Sequence, residues 1–328
     1  NADGLDDLFI CGARGQAGKL YLHQADGSFI AVNDALFEAD AACEDVDALF
    51  VDVNGDHAPD LYVASGGNGF SGQSPELLDR LSFSDVRSNF HRSRTLPSLY
   101  ENKSAVCAAD FDKDGDMDLF IGSRANAHAY GAILPSFLLV NDGKGNFTDH
   151  TAAIAPDLLK AGMITTAAWA DVDQDGWTDL LLAGEWMSPR IFRNVKGRFT
   201  EITAKAGLAS LTGWWQRMLS TDLNGEGAPE IILGNWGLNT KLKAGPQSPL
   251  RMYVADIDRN GAQDQILAYA DSGRYYTFLG KEELEKQLPG LIRKKYITYH
   301  SFAGQTVTQV FGAALDTARL LQAGEMHW

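Results

Sequence analysis

Short apolar runs such as Leu8-Phe9-Ile10, Leu119-Phe120-Ile121 and Leu180-Leu181-Leu182 alternate with clusters of Asp, Asn and Gly along nearly the whole chain. Runs this short, bounded by turn-forming residues, predict strands and hairpins. One stretch breaks the rhythm. Lys281 to Lys295 is charged and leucine-bearing and reads as a short helical insertion between the last strands, with Pro289 placed to kink or split it.

The polar clusters themselves repeat. Oxygen-bearing side chains stand at positions 1, 3, 5 and 9 of a nine-residue frame, and an apolar run follows at once. The fullest copies are Asp110, Asp112, Asp114, Asp118 and Asp171, Asp173, Asp175, Asp179, with Gly115 and Gly176 at position 6. Three more vary modestly: Asp52, Asn54, Asp56, Asp60; Asp222, Asn224, Glu226, Glu230; and Asp256, Asp258, Asn260, Asp264. A sixth opens the chain, where Asn1, Asp3 and Asp7 fit positions 3, 5 and 9. Turns ending in Phe29, Phe90, Phe147 and Phe199 precede the next acidic frame by 23, 20, 24 and 23 residues, so a plain hairpin alternates with an acidic one. Two hairpins per unit make a four-stranded blade, and six frames predict an all-β propeller of six or seven blades. The chain starts inside a frame and stops at Trp328 in strand-like sequence, which predicts a single propeller domain over residues 1–328 taken from a longer protein.

Carboxylates at alternate positions of one tight turn repel one another unless a hard cation neutralises them. Gly at position 6 lets the backbone reverse, and position 9 closes the shell from the next strand. Oxygen-only ligands point to Ca²⁺ in a structural role and away from zinc or copper. An EF-hand would need an acid at position 12, where the fullest copy has Ile121. The copy with Glu226 and Glu230 carries longer acids in the same turn and is expected to be empty or loosely filled.

Composition narrows the function. With 28 Lys plus Arg against 43 Asp plus Glu, the net charge is -15, which disfavours nucleic acid and anionic membrane surfaces. No run approaches a membrane span. The three cysteines, Cys11, Cys43 and Cys107, show no metal or disulfide spacing and read as buried free thiols. There is no G-x-S-x-G elbow or H-E-x-x-H motif, and Gly15 to Leu20 lacks both the first Gly and the hydroxyl of a phosphate loop.

The sequence resembles the FG-GAP/VCBS repeat family, the calcium-loop propellers related to integrin α-subunit heads and to cartilage acidic protein-like and UnbV/ASPIC-type proteins. The carriers are Asp110 to Asp118 with Leu119-Phe120-Ile121-Gly122, then Gly184-Glu185-Trp186, and Gly234 to Lys241. The resemblance implies an extracytoplasmic module, secreted, periplasmic or on the cell surface, used for adhesion or ligand binding. It also implies calcium in the blade hairpins.

Because each acidic loop joins two strands, the far ends of those strands gather on the opposite face. There the sequence places Arg124, Glu185, Trp186, Trp214, Trp215, Asn235, Trp236, Asn239 and Lys241, beside Glu44-Asp45, Met163 and the long connections 66–77 and 123–136. Indole faces beside directional polar groups suit a carbohydrate or protein ligand, although any one of Trp186, Trp214 and Trp236 could equally pack between blades. A carboxylate-based glycan hydrolase or lyase is the alternative, with Glu44, Asp45, Glu185 and Arg124 as its residues; a pure scaffold within a larger surface protein is the second. Carboxylates held in ion pairs would favour binding, and a free pair about 5 to 9 Å apart would favour hydrolysis.

Overall fold

Each acidic frame that is fully described folds as the link of a β-hairpin, and the apolar runs on either side become its strands. The structure, a computed structural model, describes residues 4–85, 89–237 and 240–326. The first sheet is a meander of β1 (Leu8–Ile10), β2 (Lys19–His23) and β3 (Phe29–Val32). Two four-stranded meanders follow, β4 (Asp45–Val51), β5 (Asp60–Ser65), β6 (Arg80–Ser84), β7 (Phe90–Arg92), and β8 (Lys103–Ala109), β9 (Asp118–Ser123), β10 (Phe137–Val140), β11 (Thr148–Asp149). The fourth meander, β12 (Met163–Ala170), β13 (Asp179–Met187), β14 (Arg190–Val195) and β15 (Arg198–Glu201), is joined through β13 to a two-stranded hairpin, β16 (Gly213–Thr221) and β17 (Glu230–Asn235). The chain is thus all-β and antiparallel, as its patterning predicts.

The first strand of one unit lies beside the first strand of the next, β4 by β8, β8 by β12 and β12 by β16. Sheets stacked in this way bury both faces. On one side Leu119, Ile121 and Leu139 pack with Tyr62, Ala64 and Leu81; on the other Phe120 and Leu138 pack with Ile164, Leu180, Leu182 and Phe192. This is why β9 and β13 are continuously apolar instead of alternating, each large side chain contributing about 1.5–3 kcal/mol on burial.

Among the described residues the β16–β17 hairpin has no third or fourth strand, and Leu219, Leu223 and Ile232 are exposed on it. The last sheet departs from the simple meander. β18 (Leu250–Ala255), β19 (Asp264–Asp271) and β20 (Arg274–Thr277) are followed by helices over Lys281–Gln287, Pro289–Lys295, Tyr299–Phe302 and Val307–Phe311, and β21 (Arg319–Ala323) then returns to pair with β18. Pro289 splits the predicted helix by starting a new one, the position where its missing N–H is least costly. One face of this sheet packs on the helices through Ile266, Leu284, Ile292 and Val310. Cys11, expected to be buried, is exposed just after the edge strand β1; Cys43 and Cys107 are partly buried, and all three are free thiols.

Candidate functional site

The acidic loops share one backbone path. Positions 4 and 6 are left-handed in all five fully described loops, at Gly55 and His57, Lys113 and Gly115, Gln174 and Gly176, Gly225 and Gly227, and Arg259 and Gly261. The first acid holds that path by accepting the position-6 N–H: Asp52 from His57 at 2.8 Å, Asp110 from Gly115 at 3.2 Å, Asp171 from Gly176 at 2.8 Å, Asp222 from Gly227 at 2.8 Å and Asp256 from Gly261 at 2.9 Å. An oxygen at position 1 is therefore a turn former as well as a possible ligand.

Position 9 has a second task. Its buried carboxylate reaches back to the position-2 N–H and across to the third strand: Asp60 accepts from Val53 at 3.2 Å and Ser84 at 2.8 Å, and Asp179 from Val172 at 3.1 Å and Asn194 at 2.7 Å. Asp118 accepts from Asn141 at 2.9 Å, and Asp7 from His23 at 3.0 Å, which keeps the first frame in phase with the others. Asn1 and Asp3 lie outside the described residues.

Three loops bring carboxylate oxygens within 4.8 Å of one another: Asp110, Asp112 and Asp114; Asp171, Asp173 and Asp179; and Asp256, Asp258 and Asp264. The 110–118 loop fits a cation on a further ground. Asp118 is fully buried, yet its Oδ2 has no hydrogen-bond partner. Burial, with repulsion from neighbouring acids, pushes Asp118 up to about 8 and Asp116 up to about 6. The 171–179 loop already holds a positive group, because Arg193 sets Nε 2.5 Å from Asp173 and Nη2 2.9 Å from Asp175. In the 222–230 loop Glu230 folds back onto Leu223 N and Asn224 Nδ2, both at 2.7 Å, so the shell is differently made. Asn54 and Asn260 accept the N–H groups of Asp56 and Ala262, acting as Asx turns.

Two buried asparagines escaped the sequence reading. Asn141 Nδ2 donates to Val53 O at 2.8 Å in the acidic loop of the preceding unit, and Asn194 Nδ2 donates to Phe111 O at 2.7 Å in the same way. Each also accepts the N–H of its own turn glycine, Gly145 or Gly197. These side chains lock adjacent units at the loop face. The visible signal was an Asn a few residues before the Gly-x-Phe turns.

The opposite face is built by a repeated irregularity. Four successive first strands, β4, β8, β12 and β16, carry a bulge six residues ahead of the acidic frame, at Val46, Ser104, Thr165 and Gln216. Ser104 Oγ donates to Ile164 O at 2.6 Å and Thr165 Oγ1 to Trp215 O at 2.7 Å, so the bulged side chains tie each strand to the next. All four bulge residues line one cavity of about 630 Å³, with Glu44, Gly67, Asn68, Gly69, Asn102, Lys103, Arg124 and Arg217. With seven residues in β4, the cavity and the acidic loops lie about 20 Å apart along the strands. Under it Lys103 is buried, 3.2 Å from the Asp79 carboxylate, which also accepts Tyr62 OH at 2.6 Å and Ser65 N at 2.8 Å.

The predicted ligand residues divide. Arg124 reaches the cavity while donating to Glu185 at 2.6 Å; Tyr130 OH donates to the other oxygen of Glu185 at 2.8 Å, and Trp186 Nε1 donates to Tyr130 at 3.0 Å. Trp186, Trp214 and Trp215 are buried; Trp186 and Trp214 pack edge to face beneath Leu250, Met252 and Ala323 of the last sheet. Trp236 meets Trp214 edge to face and keeps 57% of its surface exposed. Asn235 donates to Glu325 O at 2.7 Å, Lys241 is exposed, and Asn239 lies outside the described residues. Asp45 is ion-paired to Arg80 and accepts Gly12 N at 2.8 Å.

A family model described as the FG-GAP-like repeat matches residues 1–63, 110–182 and 171–233, more than half of the chain. No curated protein matches it. Among solved structures, one assigned provisionally as an exo-beta-1,3-galactanase from Bifidobacterium bifidum s17 is similar over 82% of this chain and 84% of its own, with 9% sequence identity and a TM-score of 0.37.

Proposed function

The chain belongs to the FG-GAP-like repeat family, and from that premise we propose that it is a calcium-stabilised, propeller-like binding module of the extracytoplasmic space, with its ligand site in the axial cavity. The observation that carries this reading is the separation of two built features on opposite ends of the same strands. At one end carboxylates converge in the 110–118 loop with no ion-paired basic side chain among the described residues; at the other, four successive first strands bulge at one level to line a polar recess. Six acidic frames favour a ring of six units, the β16–β17 hairpin being an abbreviated one.

Asp110, Asp112, Asp114 and Asp118, with their counterparts at 171–179 and 256–264, would hold the ion. Calcium when bound would neutralise the clustered carboxylates and cross-link loop to strand. Its weaker affinity in extracellular modules suits a compartment rich in calcium. Binding is favoured over glycan hydrolysis because Asp45 and Glu185 are both ion-paired, to Arg80 and Arg124, and neither is free to act as acid or nucleophile. Thermal unfolding tests the metal half: chelator should lower the midpoint markedly, and calcium but not magnesium should restore it. A midpoint indifferent to chelator would overturn it.

A further inference from the structure

The cavity's chemistry is uneven in a way that selects a ligand. Of its four charged lining residues, Lys103, Arg124 and Arg217 are cationic and only Glu44 is acidic, in a chain whose net charge is -15. Lys103 is committed to Asp79 and to Leu99 O at 2.8 Å, so its charge is spent inside the wall. Arg217 is different. It is exposed on β16 and has no hydrogen-bond or ion-pair partner among the described residues. Asp47 on β4, whose carboxyl pKa Arg217 acts to lower, already accepts Val106 N at 2.9 Å and Ala48 N at 3.0 Å. Arg124 uses one amino group on Glu185 and leaves the rest of its fork available.

The remaining wall is polar and thin. Asn68 and Gln216 offer side-chain amides without partners among the described residues, Gly67 and Gly69 expose backbone, and only Val46 and Ala125 are apolar. Asn102 is 7% exposed; its Nδ2 donates to Ala125 O at 2.9 Å, but its Oδ1 is buried without a partner, an acceptor waiting for a hydroxyl or water. Guanidinium forks match carboxylates bidentately, and a recess of amides and hydroxyls with little apolar surface suits a sugar ring better than peptide side chains.

We infer that the axial cavity binds an acidic glycan, a uronate-containing oligosaccharide whose carboxylate is held by Arg217, with Arg124 as the second cationic wall and the Asn68, Asn102 and Gln216 amides on ring hydroxyls. This rests on the reading of the cavity as the ligand site. Recognition is by charge and hydrogen bonding, so affinity falls with salt.

Calorimetry on the calcium-loaded chain tests it with three probes: an oligogalacturonate, the neutral oligogalactose of equal length, and an oligoglutamate peptide. Binding of the uronate alone is expected. Arg217→Gln should weaken it at least 30-fold and Arg217→Lys less, with unfolding midpoints unchanged because the side chain is exposed. Uronate binding untouched by Arg217→Gln overturns the inference. Equal binding of the neutral sugar, or preference for the peptide, overturns the glycan-carboxylate assignment while leaving the cavity as a ligand site. No binding by any probe overturns both.

Discussion

The loops at 110–118 and 222–230 follow the same nine-residue frame and the same left-handed turns, yet only the first gathers its acids into a cluster. The difference lies behind the loop. Asp118 sits at the base of a four-stranded sheet and accepts the N–H of Asn141, the residue just past the third strand; the hairpin carrying Glu230 has no third strand among the described residues. Without that reach, position 9 is a Glu that also accepts from Asn224 Nδ2 of its own loop, and position 2, buried as Phe111 in one, is Leu223 exposed in the other. In this pair, the acidic frame tied to a neighbouring strand is the one whose acids converge.

At the loop face, breaking that tie should give the largest effect. Asp118→Ala in calcium leaves the Asn141 N–H unpaired and opens the ion shell, an expected loss of about 2–4 kcal/mol, whereas Glu230→Ala should lose under about 1 kcal/mol. Chemical denaturation of the two variants measures the gap, and equal losses would dissolve the contrast. Removing either partner of the buried Lys103–Asp79 pair, as in Asp79→Ala, should cost about 3–5 kcal/mol at the other end of the strands, by stranding the Lys103 charge. Unlike Asp118→Ala, that loss should be the same with and without calcium.

Proton linkage sharpens the comparison at smaller scale. In chelator the folded chain holds the Asp118 carboxyl near 8 and Asp116 near 6, against 3.8 when unfolded, so the folded state binds more protons across that interval. Stability of the metal-free chain should then fall as pH rises from about 5 to 8. Asp118→Asn should flatten the slope, and unchanged pH dependence in that variant would place the linkage elsewhere. The smallest effect is at His57, which occupies the left-handed position that Gly115, Gly176, Gly227 and Gly261 fill in the other loops. His57→Gly should raise stability by about 0.5–1 kcal/mol in the same denaturation assay.

How much of this the sequence carried follows from range. The acidic frames, their phase with the Phe turns and the break at Pro289 are local patterns, and they were readable because oxygen spacing and turn glycines act within nine residues. The bulges at Val46, Ser104, Thr165 and Gln216 were not. Their side chains differ, and what unites them is backbone register set by a neighbouring strand. That β18–β21 returns to cover Trp186 and Trp214 was not legible either, because it depends on packing between elements more than 60 residues apart in sequence for Trp186 and Leu250. Arg217 passed unnoticed because a lone Arg carries no pattern; only the cavity makes it conspicuous.

Calcium calorimetry on the metal-stripped chain, paired with the same titration of Asp112→Ala and Glu226→Ala, tests the central claim most directly. The account predicts calcium sites that fall by one in Asp112→Ala and stay the same in number in Glu226→Ala. Absence of calcium heat, or equal loss in both variants, would contradict it and leave the acidic frames as turn chemistry alone.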